Sequence, residues 1–364
     1  KAAEKAYGYA FAYARKDTQL KIDILFRLVD MYLQQNDWRK AAGCWNKIIN
    51  FDPRNLKARL ALLDYSYQLA ESGNWGVWKD IETNVSELIE KELDTSPRIY
   101  RIKGQALLEL VRHGQLTDAE KGINDSLENL KKANEAEPNN VDTYMYIADA
   151  LIQKGQILAS KGILNADENA RAEASRILKK AVEANPDEPK AYINLYGNQL
   201  VEAKADADKV RKIENELIKL TQKFPQSAEA YFALAQVYIR NPKESAKAIA
   251  AMEKACQLDS QNVNYALTMA TLYYRKYVNE NNPQDMQKAI AIAQEALKFP
   301  DSLDVPGPKE RTSMINRYSL HSFLANCLLD KAAAASETEK PAIIQLVEDE
   351  VHELNQILGT VENP

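Results

Sequence analysis

Apolar residues recur along the chain at the spacing of amphipathic helices, and the helices that they predict come in pairs. In residues 22–55 the first apolar face has members at i, i+3 and i+7: Leu25, Leu28 and Tyr32. Asp37 then interrupts the pattern and is suited to cap the start of a second helix. The second face has members at i, i+4 and i+7: Ala41, Trp45 and Ile48. Pro53 ends the unit, so this segment predicts one helical hairpin.

The same two-helix unit recurs along nearly the whole chain, with aromatic and small residues at matching places. The clearest copies have these landmarks: Tyr144, Ala148, Ala174 and Ala181 in residues 141–188; Tyr231, Ala235, Ala248 and Ala255 in residues 228–262; Ala270, Tyr273, Ala289 and Ala296 in residues 263–302. Small residues allow neighbouring helices to approach closely. These landmarks resemble those of the tetratricopeptide-repeat family. The resemblance implies an all-α fold, a right-handed superhelical solenoid of antiparallel helix pairs that mediates protein–protein interaction.

The repeat divides the chain into three predicted parts. Residues 1–17 form a lone helix of the second type, which is half a repeat. Residues 22–302 hold about seven repeats, several of them lengthened, and residues 303–364 form a final longer hairpin. The added length lies mostly between the two helices of a repeat, as at 114–124 and 163–173. We predict extended helices with a short connection there, because long structureless loops are uncommon in compact folds.

Composition narrows the class of protein further. With only 12 Gly and 13 Pro, the chain has few turn-forming residues for an all-β protein. The net charge is −5 with both signs interspersed, so there is no basic field for nucleic acid or anionic lipid. No stretch approaches the roughly 18 continuous apolar residues of a membrane helix. We therefore expect protein partners, no nucleic acid and no membrane insertion.

Residues that commonly carry catalysis are sparse. The histidines lack partners at metal-ligand spacing: His113, His321 and His352. Neither a glycine-rich phosphate loop nor a nucleophile-elbow motif occurs. The cysteines lie beside core landmarks and are predicted to be small buried apolar residues rather than nucleophiles: Cys44, Cys256 and Cys327. The sequence predicts a protein that is not an enzyme and uses no cofactor and no metal.

The resemblance implies a concave groove, lined by the first helices, in which family members hold peptides. The equivalent positions here form an apolar and aromatic stripe interrupted by carboxylates: Phe26, Asp30, Asp64, Tyr67, Met145, Tyr146, Asp149, Phe232 and Tyr274. The Lys and Asn pattern with which some members bind a C-terminal carboxylate is absent, which argues against that ligand. Two interpretations stay open. The stripe binds an extended segment of mixed apolar and basic residues, or it serves packing.

The N-terminal helix has hardly any polar face between residues 6 and 14. Its aromatic residues are spread around the helix: Tyr7, Tyr9, Phe11 and Tyr13. A helix that is apolar all round is normally buried on both sides. We expect one side to pack on the 22–55 repeat, and the other side needs a surface that the chain does not obviously supply.

The last helix, residues 341–358, combines a wide apolar face with an acidic polar side. The apolar face includes Ile343, Ile344, Leu346, Val347, Val351, Leu354, Ile357 and Leu358. The polar side carries Glu348, Asp349, Glu350 and Glu353, whereas the first 21 residues have a charge balance of +3. Two different but complementary surfaces make a heterologous contact, which propagates as a filament unless it closes a ring.

We therefore hypothesise head-to-tail self-association into a homo-oligomer or polymer. The N-terminal surface would comprise Tyr7, Tyr9, Phe11 and Tyr13, and the C-terminal surface would comprise Ile344, Leu346, Val351, Leu354 and Ile357. Two alternatives stay open. The helix that precedes residue 1 has been cut away from a longer array, or the aromatic helix is a docking site for another protein. The chain starts at Lys rather than Met, which fits an exported, processed protein as well as a segment of a longer one.

Overall fold

The computed structural model of the chain describes residues 2–303 and 307–362, with side chains up to residue 359. Within these ranges the regular structure is entirely helical, in agreement with the predicted all-α class. The described residues fall into two compact units. Unit 1 comprises residues up to Ile177 and the segment 307–311, and unit 2 comprises residues 178–303 and those from Thr312 onward.

Unit 1 begins with a single helix, and helical hairpins follow it. Its helices are α1 (Ala2–Tyr13), α2 (Thr18–Gln34), α3 (Trp38–Phe51), α4 (Leu56–Glu71), α5 (Trp78–Glu90), α6 (Pro97–Arg112), α7 (Ala119–Ala136) and α8 (Val141–Ser160), with most of α9 (Ala166–Ala184). The helices α2/α3 and α6/α7 pack against each other as pairs, and each second helix also packs on the first helix that follows. Short connections between such neighbours make the pairs antiparallel.

Unit 2 continues the same alternation of first and second helices. Its helices are α10 (Pro189–Ala203), α11 (Ala207–Lys223), α12 (Ala228–Ile239), α13 (Ser245–Leu258), α14 (Val263–Glu280), α15 (Pro283–Ala296), α16 (Glu310–Ala334) and α17 (Lys340–Glu362). The pairs α12/α13 and α14/α15 pack closely. The hydrophobic cores join successive hairpins, as expected where no hairpin can bury its own face alone.

Short polar residues begin most of these helices. The predicted cap is confirmed, because an Oδ1 atom of Asp37 accepts a hydrogen bond from the Lys40 backbone N–H at 3.1 Å. The side chains of further residues cap later helices in the same way: Asp17, Asn55, Asp118, Asn140, Asp206, Ser227, Asn262 and Asn282. Each cap satisfies a backbone N–H of a first turn, which otherwise has no partner inside the helix.

Small residues permit close contact within the lengthened hairpins. A Cβ atom at Gly104 would overlap the Leu130 side chain, and one at Gly155 would overlap Ala170. The lengthened segments are, as predicted, extended helices with short connections, since α7 begins at Ala119 and α9 begins at Ala166. The hairpins thus stay compact where the repeats grow longer.

Candidate functional site

The inner side of α1 attaches to the first complete hairpin through a few specific contacts. This side consists of residues spaced by three and four: Glu4, Tyr7, Phe11 and Ala14. The Tyr32 hydroxyl donates a hydrogen bond to Glu4 Oε1 at 2.9 Å, and Lys40 Nζ lies 3.8 Å from the same oxygen. The ring of Phe11 has its centroid 6.0 Å from that of Phe51. Tyr7 and Phe11 therefore face the chain itself and are half-buried.

The outer side of α1 is apolar and exposed. It carries alanines and tyrosines on one helical face: Ala6, Tyr9, Ala10 and Tyr13. The tyrosines are 68% and 80% exposed, respectively, which is unusual for large apolar side chains arranged on one face. Of the four aromatic residues predicted for this end, Tyr9 and Tyr13 form the open surface, and Tyr7 and Phe11 support it.

The C-terminal hairpin exposes two apolar lines. On α16 the line consists of Ile315, Tyr318 and Leu329, and on α17 it consists of Ile344, Val351 and Leu358. The His321 Nδ1 atom contacts Glu350 Oε2 at 2.6 Å and marks where the helices face each other. On each helix the exposed line lies roughly a quarter turn around the helix axis from the residue that makes this contact, His321 on α16 and Glu350 on α17. The angle is counted at about 100° per residue in the direction in which the helix winds. In an antiparallel pair this places both lines on the same side of the hairpin.

The structure divides the apolar residues predicted for α17. Ile343, Val347 and Ile357 are buried among the chain's own residues, with Ile357 only 4% exposed. The inclusion of Ile357 in an exposed contact surface is therefore wrong, because its side chain is already covered. Leu354 is half-buried. Leu346 is exposed on the opposite flank of the helix from Ile344 and Val351.

Charges of opposite sign flank the two exposed surfaces. Lys5, Arg15 and Lys16 are exposed beside the tyrosine face of α1. Exposed carboxylates stand on α17: Glu348 lies beside the Ile344–Val351 line, and Asp349 and Glu353 lie on the flank that carries Leu346. Glu350 is the exception among the acidic residues of this helix, since it is half-buried against His321.

In unit 1 the predicted groove residues include a row of hydrogen-bonding side chains. The Tyr67 hydroxyl donates to Gln105 Oε1 at 2.6 Å and lies 3.4 Å from the Tyr146 hydroxyl. Burial raises the pKa of both tyrosines above the ordinary value, so the hydroxyls stay protonated. This row joins three successive first helices, α4, α6 and α8. Met145, also on α8, is half-buried.

Two of the predicted groove carboxylates already have cationic partners. Arg98 pairs with Asp64, and Arg112 Nη2 lies 2.9 Å from Asp149 Oδ2. The partners are 34 and 37 residues apart in sequence, about one repeat. Each of these carboxylates therefore already has an arginine of the chain itself as its partner. Sequence reasoning missed these arginines, although the repeat spacing could have indicated them.

The first part of the groove stripe differs from the rest. Lys57 Nζ lies over the half-buried ring of Phe26, 4.5 Å from its centroid. Asp30 is exposed and makes no ion pair with the residues that the structure describes. One ring is therefore already engaged by a cation, while the neighbouring carboxylate faces solvent.

In unit 2 the predicted groove residues are Phe232 and Tyr274. The Phe232 ring lies 4.9 Å from that of Tyr265, centroid to centroid. Tyr274 borders two cavities, of about 420 Å³ and about 350 Å³. Its hydroxyl donates to Asp330, and this hydrogen bond is the main cause that raises the pKa of Tyr274 to about 12. Asp330 lines one of these cavities with Tyr274 but was not predicted, since it lies in the longer last hairpin.

The cysteine thiols are poorly suited to act as nucleophiles. Burial raises the pKa of Cys256 to about 11 and that of Cys327 to about 12, and it also raises the pKa of Cys44. A thiol that stays protonated is a poor nucleophile. Cys44 and Cys327 are buried as predicted, whereas Cys256 is only half-buried. Among the described residues there is no cluster of His, Cys, Asp and Glu that could hold a metal ion. None of the described helices is long and apolar enough to cross a membrane.

Comparison with known proteins gives structural neighbours only. No protein-family model matches the sequence, and no curated protein matches it. A tetratricopeptide repeat protein from Parabacteroides merdae is 13% identical, with 77% of this chain and 93% of that one covered and a TM-score of 0.49. A thermophilic TPR protein of Thermus thermophilus is 18% identical, with coverages of 58% and 96% and a TM-score of 0.43.

A third similar structure is the C-terminal part of a TPR repeat-containing protein from Cytophaga hutchinsonii. It is 14% identical, covers 76% of this chain and 95% of its own, and has a TM-score of 0.41. The fold assignment itself rests on the helix pairs and their landmark residues. The described residues form an all-α array of antiparallel helix pairs, whose landmark residues resemble those of the tetratricopeptide-repeat family.

Proposed function

We propose that this protein is a non-enzymatic interaction scaffold that self-associates head to tail, through its two ends, into a filament or larger array. The observation that carries the proposal is the open outer face of α1, with Tyr9 and Tyr13 exposed side by side. Leaving two large aromatic side chains in water forgoes burial worth about 25 cal/mol per Å² of apolar surface. A partner surface would recover this free energy.

A second copy of the chain offers such a surface. The α16–α17 hairpin exposes apolar lines on one side, represented by Tyr318 on α16 and Val351 on α17. Opposite charges flank the two surfaces, as with Lys5 near the first and Glu348 near the second. Complementary charges steer association and set orientation. Because the surfaces differ, the contact is heterologous and can repeat from copy to copy.

The first test is the assembly state of a double variant at the N-terminal end. Tyr9→Glu with Tyr13→Glu should abolish assembly, because two carboxylates would have to be buried in the contact. Light scattering on a sizing column, followed by negative-stain imaging, measures the outcome. A matched control adds the same charge at exposed apolar residues outside both ends, Ile163→Glu with Leu164→Glu, and should assemble like the parent chain.

A mixing experiment tests whether the contact is head to tail. Ile344→Glu with Val351→Glu blocks the other end. Neither blocked variant should polymerise alone, but an equal mixture should form a dimer, because one intact surface of each kind remains. Dimers of the C-terminal variant alone would indicate a symmetric contact between α1 helices instead. A parent chain that elutes near 41.1 kDa at every concentration would rule out self-association.

A second candidate function is an adaptor that binds an extended segment in its groove. The favouring observation is the row in which half-buried Tyr67 and Tyr146 carry protonated hydroxyls along successive first helices, with the buried Gln105 accepting the hydrogen bond of Tyr67. Such groups bind the backbone of an extended peptide without demanding a particular sequence. A bound peptide with an unassembled chain would favour this function over the structural one.

A further inference from the structure

The cavity of about 350 Å³ in unit 2 is an acidic and aromatic site, and Tyr274 is the one residue of its lining that the groove prediction included. Its lining comes from α14 and α16: Thr271, Tyr274, Phe323, Asn326, Cys327, Leu329 and Asp330. Two aromatic rings and one carboxylate therefore converge on a space large enough for one long side chain. No basic residue belongs to this lining.

Asp330 resembles Asp30 and differs from Asp64 and Asp149 in its partners. Asp64 and Asp149 each have an arginine. Asp330 is exposed, accepts a hydrogen bond from the Tyr274 hydroxyl, and forms no ion pair with any residue in the described part of the chain. A hydroxyl donor orients the carboxylate but does not neutralise its charge. The cavity thus has a negative charge that lacks a counter-ion.

The aromatic walls of the cavity form an edge-to-face pair beside the carboxylate. The rings of Tyr274 and Phe323 are 6.0 Å apart between centroids and inclined at 77°. The hydrogen bond to Asp330 fixes the orientation of the Tyr274 ring. A guanidinium group is planar, stacks on aromatic faces and donates several hydrogen bonds in its plane. Asp330 and the side chains of Asn326 and Thr271 offer acceptors for those bonds.

We propose that this cavity binds a single arginine side chain of an extended partner segment, with the guanidinium between the aromatic rings and the Asp330 carboxylate. The proposal rests on the groove-binding function and does not depend on self-association. It identifies Asp330 and Phe323, rather than Asp64 or Asp149, as the residues that select a basic segment. The larger cavity on the other side of Tyr274 is lined by Arg275, so a uniformly basic segment is disfavoured there.

The test compares two fluorescent peptides on the full-length chain by anisotropy. Both have the sequence Gly-Leu-Leu-X-Leu-Leu-Gly with a C-terminal amide, where X is arginine or its neutral isostere citrulline. The arginine peptide should bind about tenfold more tightly, in line with a partly desolvated cation–π contact and one charge pair. Replacing X by lysine should recover only part of this gain, because an ammonium group lacks the planar fork.

Variants test whether the tighter binding of the arginine peptide arises in this cavity. Asp330→Asn keeps an acceptor for the Tyr274 hydroxyl but removes the charge, and it should cut the preference for arginine over citrulline to about twofold or less. Phe323→Leu should reduce the preference while leaving citrulline binding intact. The control Asp149→Asn, whose carboxylate is already paired, should retain the full preference. Circular dichroism confirms that each variant is folded.

Three results would overturn the proposal. They are equal affinity for the arginine and citrulline peptides, an arginine preference that survives Asp330→Asn, and no binding of either peptide. In the first two cases the groove still binds a segment and the adaptor function stands. The sizing experiments decide self-association independently of all three.

Discussion

The two ends of the chain expose apolar surface on supports of very different strength. None of the residues of α1 is fully buried, and its attachment depends on half-buried Tyr7 and Phe11 and a hydrogen bond to Glu4. The C-terminal hairpin exposes one line on α16, whose inner residues Leu320 and Leu324 are completely buried, and the other on α17, whose inner residues retain a little exposure. A helix with a neighbour on one side only is expected to open most readily. The N-terminal surface is thus adaptable and the C-terminal surface is firm.

The largest expected difference between the two ends is in how much free energy of unfolding is lost when a packing residue is replaced by alanine. Leu324→Ala should destabilise unit 2 by about 3 kcal/mol, because the side chain is fully buried and leaves a cavity. Phe11→Ala should cost only about 1 kcal/mol, because its ring is half-exposed and little cavity forms.

Urea unfolding measures both variants. Far-UV circular dichroism follows the whole chain, while tryptophan fluorescence reports on unit 1, where all four tryptophans lie. Equal losses at the two ends would show that α1 is held as firmly as α16, and the comparison would then fail.

Hydrogen exchange should distinguish the ends even without substitutions. In dilute protein the amides of α1 should exchange much faster than those in the centre of α16, because opening α1 breaks few buried contacts. If α1 is a self-association surface, its exchange should slow as protein concentration rises, while exchange in α8 stays constant. Fast exchange of α1 at all concentrations would contradict its burial in an assembly.

Salt should have a smaller effect on assembly than the tyrosine substitutions have. The flanking charges, such as Lys16 and Glu348, are exposed, so their attraction is screened at high ionic strength. Raising salt should weaken association several-fold and should act mainly on its rate. Light scattering across a salt series measures this. Assembly strengthened by salt would show that the apolar contact dominates and that the charges contribute little.

Much of the fold follows from periodic patterns, and the failures have physical causes. The landmark alanines and the cap Asp37 predict hairpins because close packing and capping are local requirements. Which flank of α17 is buried depends on the helices that pack against it. The sequence of α17 alone therefore does not distinguish the buried Ile357 from the exposed Ile344. The partner of a groove residue lies on another first helix, and sequence shows such a pair only through the repeat spacing.

That spacing explains why two groove pairings could have been found and a third could not. Asp64 and Arg98 are 34 residues apart, close to one repeat, so the two positions are equivalent places on successive first helices. Tyr274 and Asp330 are 56 residues apart, because the connection before α16 and the length of α16 itself depart from the repeat. The carboxylate that we assign to arginine binding was thus hidden by the irregular last hairpin.

The smallest expected effect concerns the tyrosines near each end, whose raised pKa values have different main causes. Burial is the larger cause that raises the pKa of Tyr32 to about 12, and Glu4 adds to it, whereas for Tyr274 the main cause is the hydrogen bond to Asp330. Glu4→Gln should therefore leave the Tyr32 pKa well above 10.0, and Asp330→Asn should lower that of Tyr274 further toward it.

Both folded pKa values exceed the unfolded value, so the stability that these tyrosines contribute is complete below about pH 10 and is lost as pH rises toward 12. NMR titration with ¹³C-labelled tyrosine measures each group separately, and urea unfolding at pH 9 to 11 should show the loss of stability. Both variants should lose stability as pH rises, and the Asp330 variant should lose less over this range than the Glu4 variant, because its Tyr274 pKa is closer to the unfolded value. If neither substitution changes the titration curve of its tyrosine relative to the parent chain, burial alone keeps both hydroxyls protonated. Asp330 is then not held against Tyr274 as the arginine site requires.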